Sequence, residues 1–228
     1  MKEHRFFAAV YDRVMASAEA AGLGDRRRQL LSGATGRVLE VGGGTGLNLA
    51  HYTAASEVVV LEPDPAMVRK LTPKLGRAPV PARAVTAGID DPDLARFGIE
   101  DGGFDTIVCT LVLCTVPDLG EAARALHRRL RPDGLVLFLE HVLAPTRGRR
   151  AAQRLANPLW GRLAAGCHLD RDPVPALRQA GFMVGDYDRI FLPLGPLAGP
   201  GVVGTATVRK ADLLVEPGTY PMASGRAR

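Results

Sequence analysis

At 228 residues, 46% hydrophobic and 23% charged, the chain is neither a disordered nor a fibrous polypeptide, and it has the length for one α/β domain with a sizeable core but not two. Its net charge of +5 comes almost wholly from arginine, with lysine only at Lys2, Lys70, Lys74 and Lys210. Charges of both signs are interspersed, which argues against a nucleic-acid groove, while the concentrations at Arg26–Arg28 and Arg147–Arg150 leave peripheral contact with an anionic membrane surface open.

Phe6, Phe7, Val10, Tyr11, Val14 and Met15 recur at helical spacing, and a second helix is expected over Asp25–Leu31, so residues 1–34 read as a helical cap. Short apolar runs then alternate with helical patterns. Strands are expected at Arg37–Val41, Glu57–Leu61, Val80–Thr86, Phe104–Leu111 and Leu135–Val142. Helices are expected at Gly46–Ala54, Pro65–Leu75 and Leu119–Leu130, the second with Asp64 as cap and Pro65 in its first turn. Near-continuous apolar strands alternating with helices mean a parallel sheet covered on both faces. A helical insertion comes next at about 145–172, then a helix at Pro173–Ala180. Tyr187–Phe191 and Val202–Arg209 are joined without a crossover helix, which predicts an antiparallel edge pair. Residues 211–228 read as a loose tail.

Cys109, Cys114 and Cys167 form no disulfide framework and no CxxC pair, and a reducing cytoplasm is the simple expectation. The N-terminal stretch is interrupted by charge too often for a signal peptide, and no 18-residue apolar run occurs.

The stretch VLEVGGGTGLNL (residues 38–49) joins the first expected strand to the first expected helix through glycines at 42, 43, 44 and 46. Such a turn brings backbone N–H groups against a ligand. Its register is ExGxGxG, from Glu40 through Gly42, Gly44 and Gly46, rather than the GxGxxG of dinucleotide sites. An acidic residue ahead of the glycines suits a cationic ligand such as S-adenosylmethionine (SAM) and not a pyrophosphate. Glu62, 22 positions after Glu40, closes the second strand where a carboxylate can accept both ribose hydroxyls, a feature SAM and NAD share. The chain has no room for the second domain that an NAD dehydrogenase uses.

These residues, with LEVGGGTGLNLAHY, LEPDPAM, FDTIVCTLVLCTVPDL, LRPDGLVLFLEHV, GCHLDRD and AGF, resemble class I SAM-dependent methyltransferases over roughly residues 35–210. Within them the chain is similar to the branch of alkyl-thiol methyltransferases and their bacterial relatives. The resemblance implies a Rossmann-like three-layer α/β sandwich, with a mostly parallel seven-stranded sheet and an antiparallel edge strand. It implies SAM as cofactor, with Gly42, Gly44 and Gly46 along the amino-acid moiety and Glu62 on the ribose. Ile89 and Asp90 would flank the adenine, and Asp64 or Met67 would edge the same pocket. Thr110 would border the methionine part. Glu40, Asn48, Pro63 and Leu111 complete the expected cofactor set.

Methyl transfer from a sulfonium needs proximity, alignment and exclusion of water, and a base only if the nucleophile arrives protonated. His141, at the end of the fifth expected strand, is the expected base or orienter, assisted by His168 or Asp172. Tyr11 and Trp160 are the expected acceptor-side residues. Leu155, Pro158, Leu159, Trp160 and Leu163 read as an apolar roof for a hydrophobic acceptor, and Arg171 as half of a surface ion pair in LDRD. No metal is expected, because Cys167, His168, Asp170 and His141 lack the spaced pairs of structural zinc. The acceptor is a small molecule. Thiol sulfur is implied by the resemblance alone; a lipid headgroup amine, a quinone or a secondary metabolite stays open, as does a SAM-binding partner protein without turnover.

Overall fold

The computed structural model describes residues 3–208; the tail expected at 211–228 lies outside the described residues. Helix α1 (Arg5–Ala18) passes through one π turn, Glu19–Leu23, into α2 (Gly24–Leu31), with Gly22 at φ 108° bending the path. Seven strands complete the sheet: β1 (Gly36–Val41), β2 (Ala55–Leu61), β3 (Ala82–Val85), β4 (Phe104–Thr110), β5 (Leu130–His141), β6 (Met183–Phe191) and β7 (Pro200–Thr207). Their order is β3-β2-β1-β4-β5-β7-β6. The first five strands run parallel. β7 runs antiparallel between β5 and β6, because only a short loop with the four-residue helix α7 (Gly195–Ala198) links it to β6 and no crossover can form. The sandwich and its antiparallel edge pair are those expected.

Alternation along each strand divides the core into two layers. Leu39, Val59, Leu61, Ile107, Cys109 and Phe138 face one side, packed with residues of α4 (Leu119–Arg129) and α6 (Pro173–Gln179). Val38, Val58, Val60, Val108, Leu137 and Leu139 face the other, packed with Leu30 and Leu31 of α2 and Leu71 of α3 (Pro65–Leu75). The Asp64 carboxylate accepts from the Ala66 N–H at 2.8 Å with Pro65 in the first turn, the cap the sequence predicts.

The helix expected over Gly46–Ala54 does not form. The structure has only one 3₁₀ turn there, Leu49–His51. Gly46 is left-handed at φ 84°, and the Asn48 amide is committed to Glu40 and Thr110, so the chain is held in a turn by contacts that helical geometry would break. Parallel strands bring Val41, Leu61, Thr110 and His141 to one edge of the sheet. The strand order reverses between β1 and β4, and that switch point is where open α/β sheets hold ligands.

Candidate active site

The glycine turn leaves β1 at this switch point. Gly42 and Gly43 both donate to the Leu61 carbonyl, at 2.8 and 3.0 Å, tying the turn onto β2. Gly42, at φ 68°, and Gly43 leave no room for a side chain: a Cβ would stand 2.2 Å from Val112 Cγ2 at the first and 2.1 Å from Val60 Cγ1 at the second. Gly44, at φ 56°, faces open space with only Tyr11 near it, at 3.9 Å. Its N–H donates to Glu62 Oε2 at 2.7 Å, and the Asp64 N–H donates to Glu62 Oε1 at 2.9 Å. Glu62 thus fixes the turn and the start of α3 from the end of β2, and each oxygen keeps a further lone pair for a ligand hydroxyl.

A small cavity beside the turn is lined by Tyr11, Arg27, Glu40, Gly42, Gly43, Leu47, Asn48 and Thr110. Arg27 is the residue that the sequence reading missed. It is 3% exposed, ion-paired with Glu19 at 2.8 Å, and donates to Asn48 Oδ1 at 2.7 Å and Thr110 Oγ1 at 3.3 Å. The Asn48 amide donates in turn to Glu40 Oε1 and Thr110 Oγ1, at 2.8 and 2.9 Å. The signal was present: Arg27 precedes Leu30 and Leu31 by three and four positions, which puts it on the buried face of α2. The pocket therefore offers a buried cation and a buried carboxylate, both hydrogen-bonded to Asn48. That donor set is complementary to the two charges of a zwitterionic amino acid.

Glu40 Oε2 has no hydrogen-bond partner among the described residues. Burial pushes its carboxyl up to about 7, against the opposing pull of Tyr52, Asn48 and Arg27. Between the ordinary 4.5 and about 7 the folded chain holds a proton that the unfolded chain has released, so stability falls as pH rises through this window. Glu140 is raised to about 7 as well, by burial first, and contributes with the same sign. Thermal unfolding of the ligand-free protein across this range is expected to slope downward with pH, and Glu40→Gln is expected to remove about half of the slope.

Helix α1 lies over the pocket. Its Phe7, Ala8 and Tyr11 pack on Ala66 and Met67, and the His4 N–H donates to Asp64 at 3.0 Å. The cavity beneath is about 10 Å³, with Tyr11 in its lining, room for one water. Burial raises the Tyr11 phenol to about 12, and Arg27, Glu19, Glu62 and Cys114 all act on it electrostatically. Tyr11 thus stands within electrostatic reach of both Glu62 and Cys114.

Beyond β4, a sulfur cluster joins three separate elements. His141, at the end of β5, lies 2.9 Å through Nε2 from Cys167 Sγ. Cys167 Sγ lies 3.6 Å from Cys114 Sγ in the loop after β4 and accepts from the Trp160 indole N–H at 3.3 Å. The Cys114 contact, and then His141, hold the Cys167 thiol well below its ordinary value despite burial. Burial opposes the His141 imidazolium, but Cys167 outweighs it and the net shift is upward. The ring's Nδ1 has no partner among the described residues. Next to it, Glu140 Oε1 accepts from the Val112 and Leu113 N–H groups at 3.0 and 3.1 Å and fixes the loop after β4.

Several expected site residues are placed elsewhere. Asp172 caps α6, accepting from the Val174 N–H at 3.1 Å. The His168 ring makes no hydrogen bond among the described residues; its backbone N–H donates to the Cys114 carbonyl at 2.9 Å. Neither assists His141 through its side chain. Asp90 is exposed and, with Ile89, lines a cleft of about 420 Å³ with Pro92, Ala95 and Arg128. Pro63 is exposed, Met67 is packed beneath α1, and Leu111 turns the chain out of β4 at φ 56°. Arg171 forms no surface ion pair among the described residues: its guanidinium donates to the carbonyls of Leu113, Cys114, Val116 and Pro117. Nor is there an apolar roof. On α5 (Arg147–Leu163), Leu155, Leu159 and Leu163 are 86%, 63% and 68% exposed, and only Trp160 turns inward to the cluster.

A model of the methyltransferase domain matches residues 11–182. The chain belongs to that methyltransferase family. It is 35% identical to the human thiol S-methyltransferase TMT1B over 184 residues, covering 77% of this chain and 73% of that one. It is 32% identical to the human thiol S-methyltransferase TMT1A over 212 residues, covering 88% and 82%. Among solved structures, an S-adenosylmethionine-dependent methyltransferase from Mesorhizobium loti superposes with a TM-score of 0.59 at 21% identity, covering 83% of this chain and 99% of that one. The methyltransferase CalH, solved with S-adenosylhomocysteine, superposes at 0.55 and 20% identity, covering 80% and 54%. The protein is a SAM-dependent methyltransferase of the class I fold.

Proposed function

We propose that the enzyme methylates small hydrophobic thiols at sulfur. The observation that carries the reading is the group of Cys114, His141 and Cys167 beyond the ends of β4 and β5, on the side of the sheet where the acceptor must approach. A thiol is a weak nucleophile until it loses its proton, and this cluster of soft and basic groups is where the methyltransferase can receive a sulfur and take that proton away. The thiol S-methyltransferases to which the chain is similar support the same acceptor.

When bound, SAM supplies a methyl group activated on its sulfonium. Glu62 orients the cofactor through the ribose, and Gly44 lets its backbone approach. Glu40 and Arg27 take the ammonium and carboxylate ends. Tyr11, closing from α1, excludes water between the two reacting sulfurs. Arg27→Met removes one of these partners and leaves Asn48 Oδ1 short of a donor; it is expected to weaken S-adenosylhomocysteine binding by about tenfold, or ~1.4 kcal/mol, read by calorimetric titration, with Arg27→Lys intermediate.

The acceptor is tested by comparing kcat/KM for an alkyl thiol with those for the alcohol and the amine of the same carbon skeleton. Turnover of the thiol alone supports the reading, and preference for the amine or alcohol overturns it. The exposed stripe of Leu155, Leu159 and Leu163, with Arg154 and Arg162 on the same helix, supports peripheral contact with an anionic membrane. Sedimentation with anionic vesicles is expected to fall on Leu159→Glu. No helix among the described residues is long and apolar enough to cross a membrane.

A further inference from the structure

Cys114, His141 and Cys167 are a group that the linear sequence hides. His141 and Cys167 are 26 positions apart and Cys114 and Cys167 are 53 apart, nothing like the close pairs that mark structural zinc. In space one donor atom from each lies within 4.8 Å of the others. We propose that Cys114, His141 and Cys167 hold a zinc ion through two sulfurs and one imidazole nitrogen, with the fourth position left for the sulfur of the acceptor.

Three features of the cluster support this. Sulfurs about 2.3 Å from a tetrahedral zinc stand about 3.7 Å apart, and Cys114 and Cys167 already stand at 3.6 Å. Zinc would set the imidazole nitrogen and the sulfur about 3.5 Å apart, so the His141–Cys167 distance of 2.9 Å opens by about 0.6 Å when the ion enters. Two thiolates also neutralise a divalent ion, which matters at a buried position where an unbalanced charge is costly. The donor set is soft, two sulfurs and an imidazole with no carboxylate touching them, and selects zinc over magnesium or calcium.

The scaffold holds the three donors from independent directions. Leu111 at φ 56° turns the chain after β4 toward Cys114, and Ala165 at φ 49° with Gly166 at φ 89° turns the chain after α5 toward Cys167. Left-handed backbone at Leu and Ala is strained and persists where the surroundings over-determine it. The Cys114 carbonyl is fastened by the His168 N–H and by Arg171. Trp160 can only donate, so its N–H to Cys167 Sγ is the contact that a metal-bound thiolate accepts. Cys114 and His141 are buried while Cys167 is half-buried, which leaves the open coordination position on the Cys167 side.

The chemistry balances without a further reagent. The acceptor thiol binds the zinc as thiolate and its proton leaves to solvent. Its sulfur lone pair then forms the new S–CH3 bond while the sulfonium–methyl bond breaks, and that electron pair stays on the departing S-adenosylhomocysteine. The neutral thioether is a poorer ligand than the thiolate and gives way to the next thiol. The role of the fourth position rests on the thiol reading above; the ion itself does not.

The test uses the full chain, reduced with a phosphine rather than a thiol. Zinc is titrated in competition with a chromophoric chelator, and cobalt(II) is used as a spectroscopic substitute. One zinc per chain is expected, with an affinity that falls in Cys114→Ser and in Cys167→Ser by more than the roughly 100-fold that loss of an outer-shell partner costs. His168→Ala, next to the cluster but outside it, keeps the ion, and circular dichroism checks that each variant is folded. Hexanethiol added to the cobalt form raises the thiolate-to-cobalt absorption by about half, as a third sulfur joins two. Zinc bound with no effect of hexanethiol and no thiol turnover supports the ion and overturns the thiol acceptor. Thiol turnover by protein that binds no zinc overturns the ion and leaves the acceptor standing. Equal zinc affinity in both cysteine variants and the unsubstituted chain, or a Cys114–Cys167 disulfide in place of bound zinc, also overturns the ion.

Discussion

Glu62→Ala is expected to weaken the binding of SAM and S-adenosylhomocysteine by more than about 100-fold. Two effects add. The carboxylate accepts from the N–H groups of Gly44 and Asp64 at 2.7 and 2.9 Å, and hydrogen bonds to a charged group contribute roughly 1.5–3 kcal/mol each. Losing them releases the turn and the first residues of α3 together. The variant also loses the carboxylate at the end of β2 that can take the ribose hydroxyls. A loss of two decades is about 2.7 kcal/mol, within what one such group supplies. Calorimetric titration with S-adenosylhomocysteine checks it, and Glu62→Gln, which keeps one acceptor oxygen, is expected to fall between. A change below threefold in the alanine variant would mean that the ribose is held elsewhere.

His141→Ala is expected to behave in the opposite way. The imidazole touches Cys167 and none of the residues around the glycine turn, so cofactor affinity stays within about twofold while turnover falls roughly 10²- to 10⁴-fold, the range for loss of a group that promotes ionisation of the nucleophile, directly or through an ion it holds. Single-turnover rates at saturating SAM, measured beside the calorimetric affinity, separate the two. Loss of cofactor affinity comparable to that of Glu62→Ala would move His141 from the acceptor side to the cofactor side. The pair of variants therefore tests a division of labour: carboxylates at the ends of β1 and β2 for the cofactor, and sulfur and imidazole beyond β4 and β5 for the acceptor.

Most of the fold was legible because its strands are buried on both faces. VVVL of β2 and TIVCT of β4 are nearly continuous apolar runs, and the Asp64-Pro65 start of α3 is capping chemistry that depends on neighbours in sequence. What failed depended on neighbours in space. The helix expected after the glycine turn is replaced by a turn because Asn48 is drawn to Glu40 and Thr110, and no local propensity reports a partner on another strand. The same holds for the site. The placement of Glu40, Glu62 and Gly44 together at the turn follows from the motif, and that of His141 at the end of β5 from the strand pattern. Arg27 sits in a run of three arginines; its spacing to Leu30 and Leu31 marks the buried face of α2, but its partners Asn48 and Thr110 are 21 and 83 positions away in sequence. Asp172 precedes Pro173 as Asp64 precedes Pro65, the same cap signal, and the carboxylate that caps α6 is thereby turned to the Val174 N–H. Leu155, Leu159 and Leu163 share one face of α5, but periodicity does not say whether that face turns inward, and here it turns out.

One measurement tests the acceptor assignment most directly. The enzyme is mixed with methyl-deuterated SAM and an equimolar set of an alkyl thiol, a phosphatidylethanolamine and a hydroxyquinone, quenched within one turnover, and the products are separated by mass. The deuterated methyl is predicted on the sulfur of the alkyl thiol, with S-adenosylhomocysteine formed in equal amount and the other two acceptors unlabelled. Label on the amine or the quinone, with the thiol unlabelled, would contradict a sulfur acceptor at Cys114, His141 and Cys167.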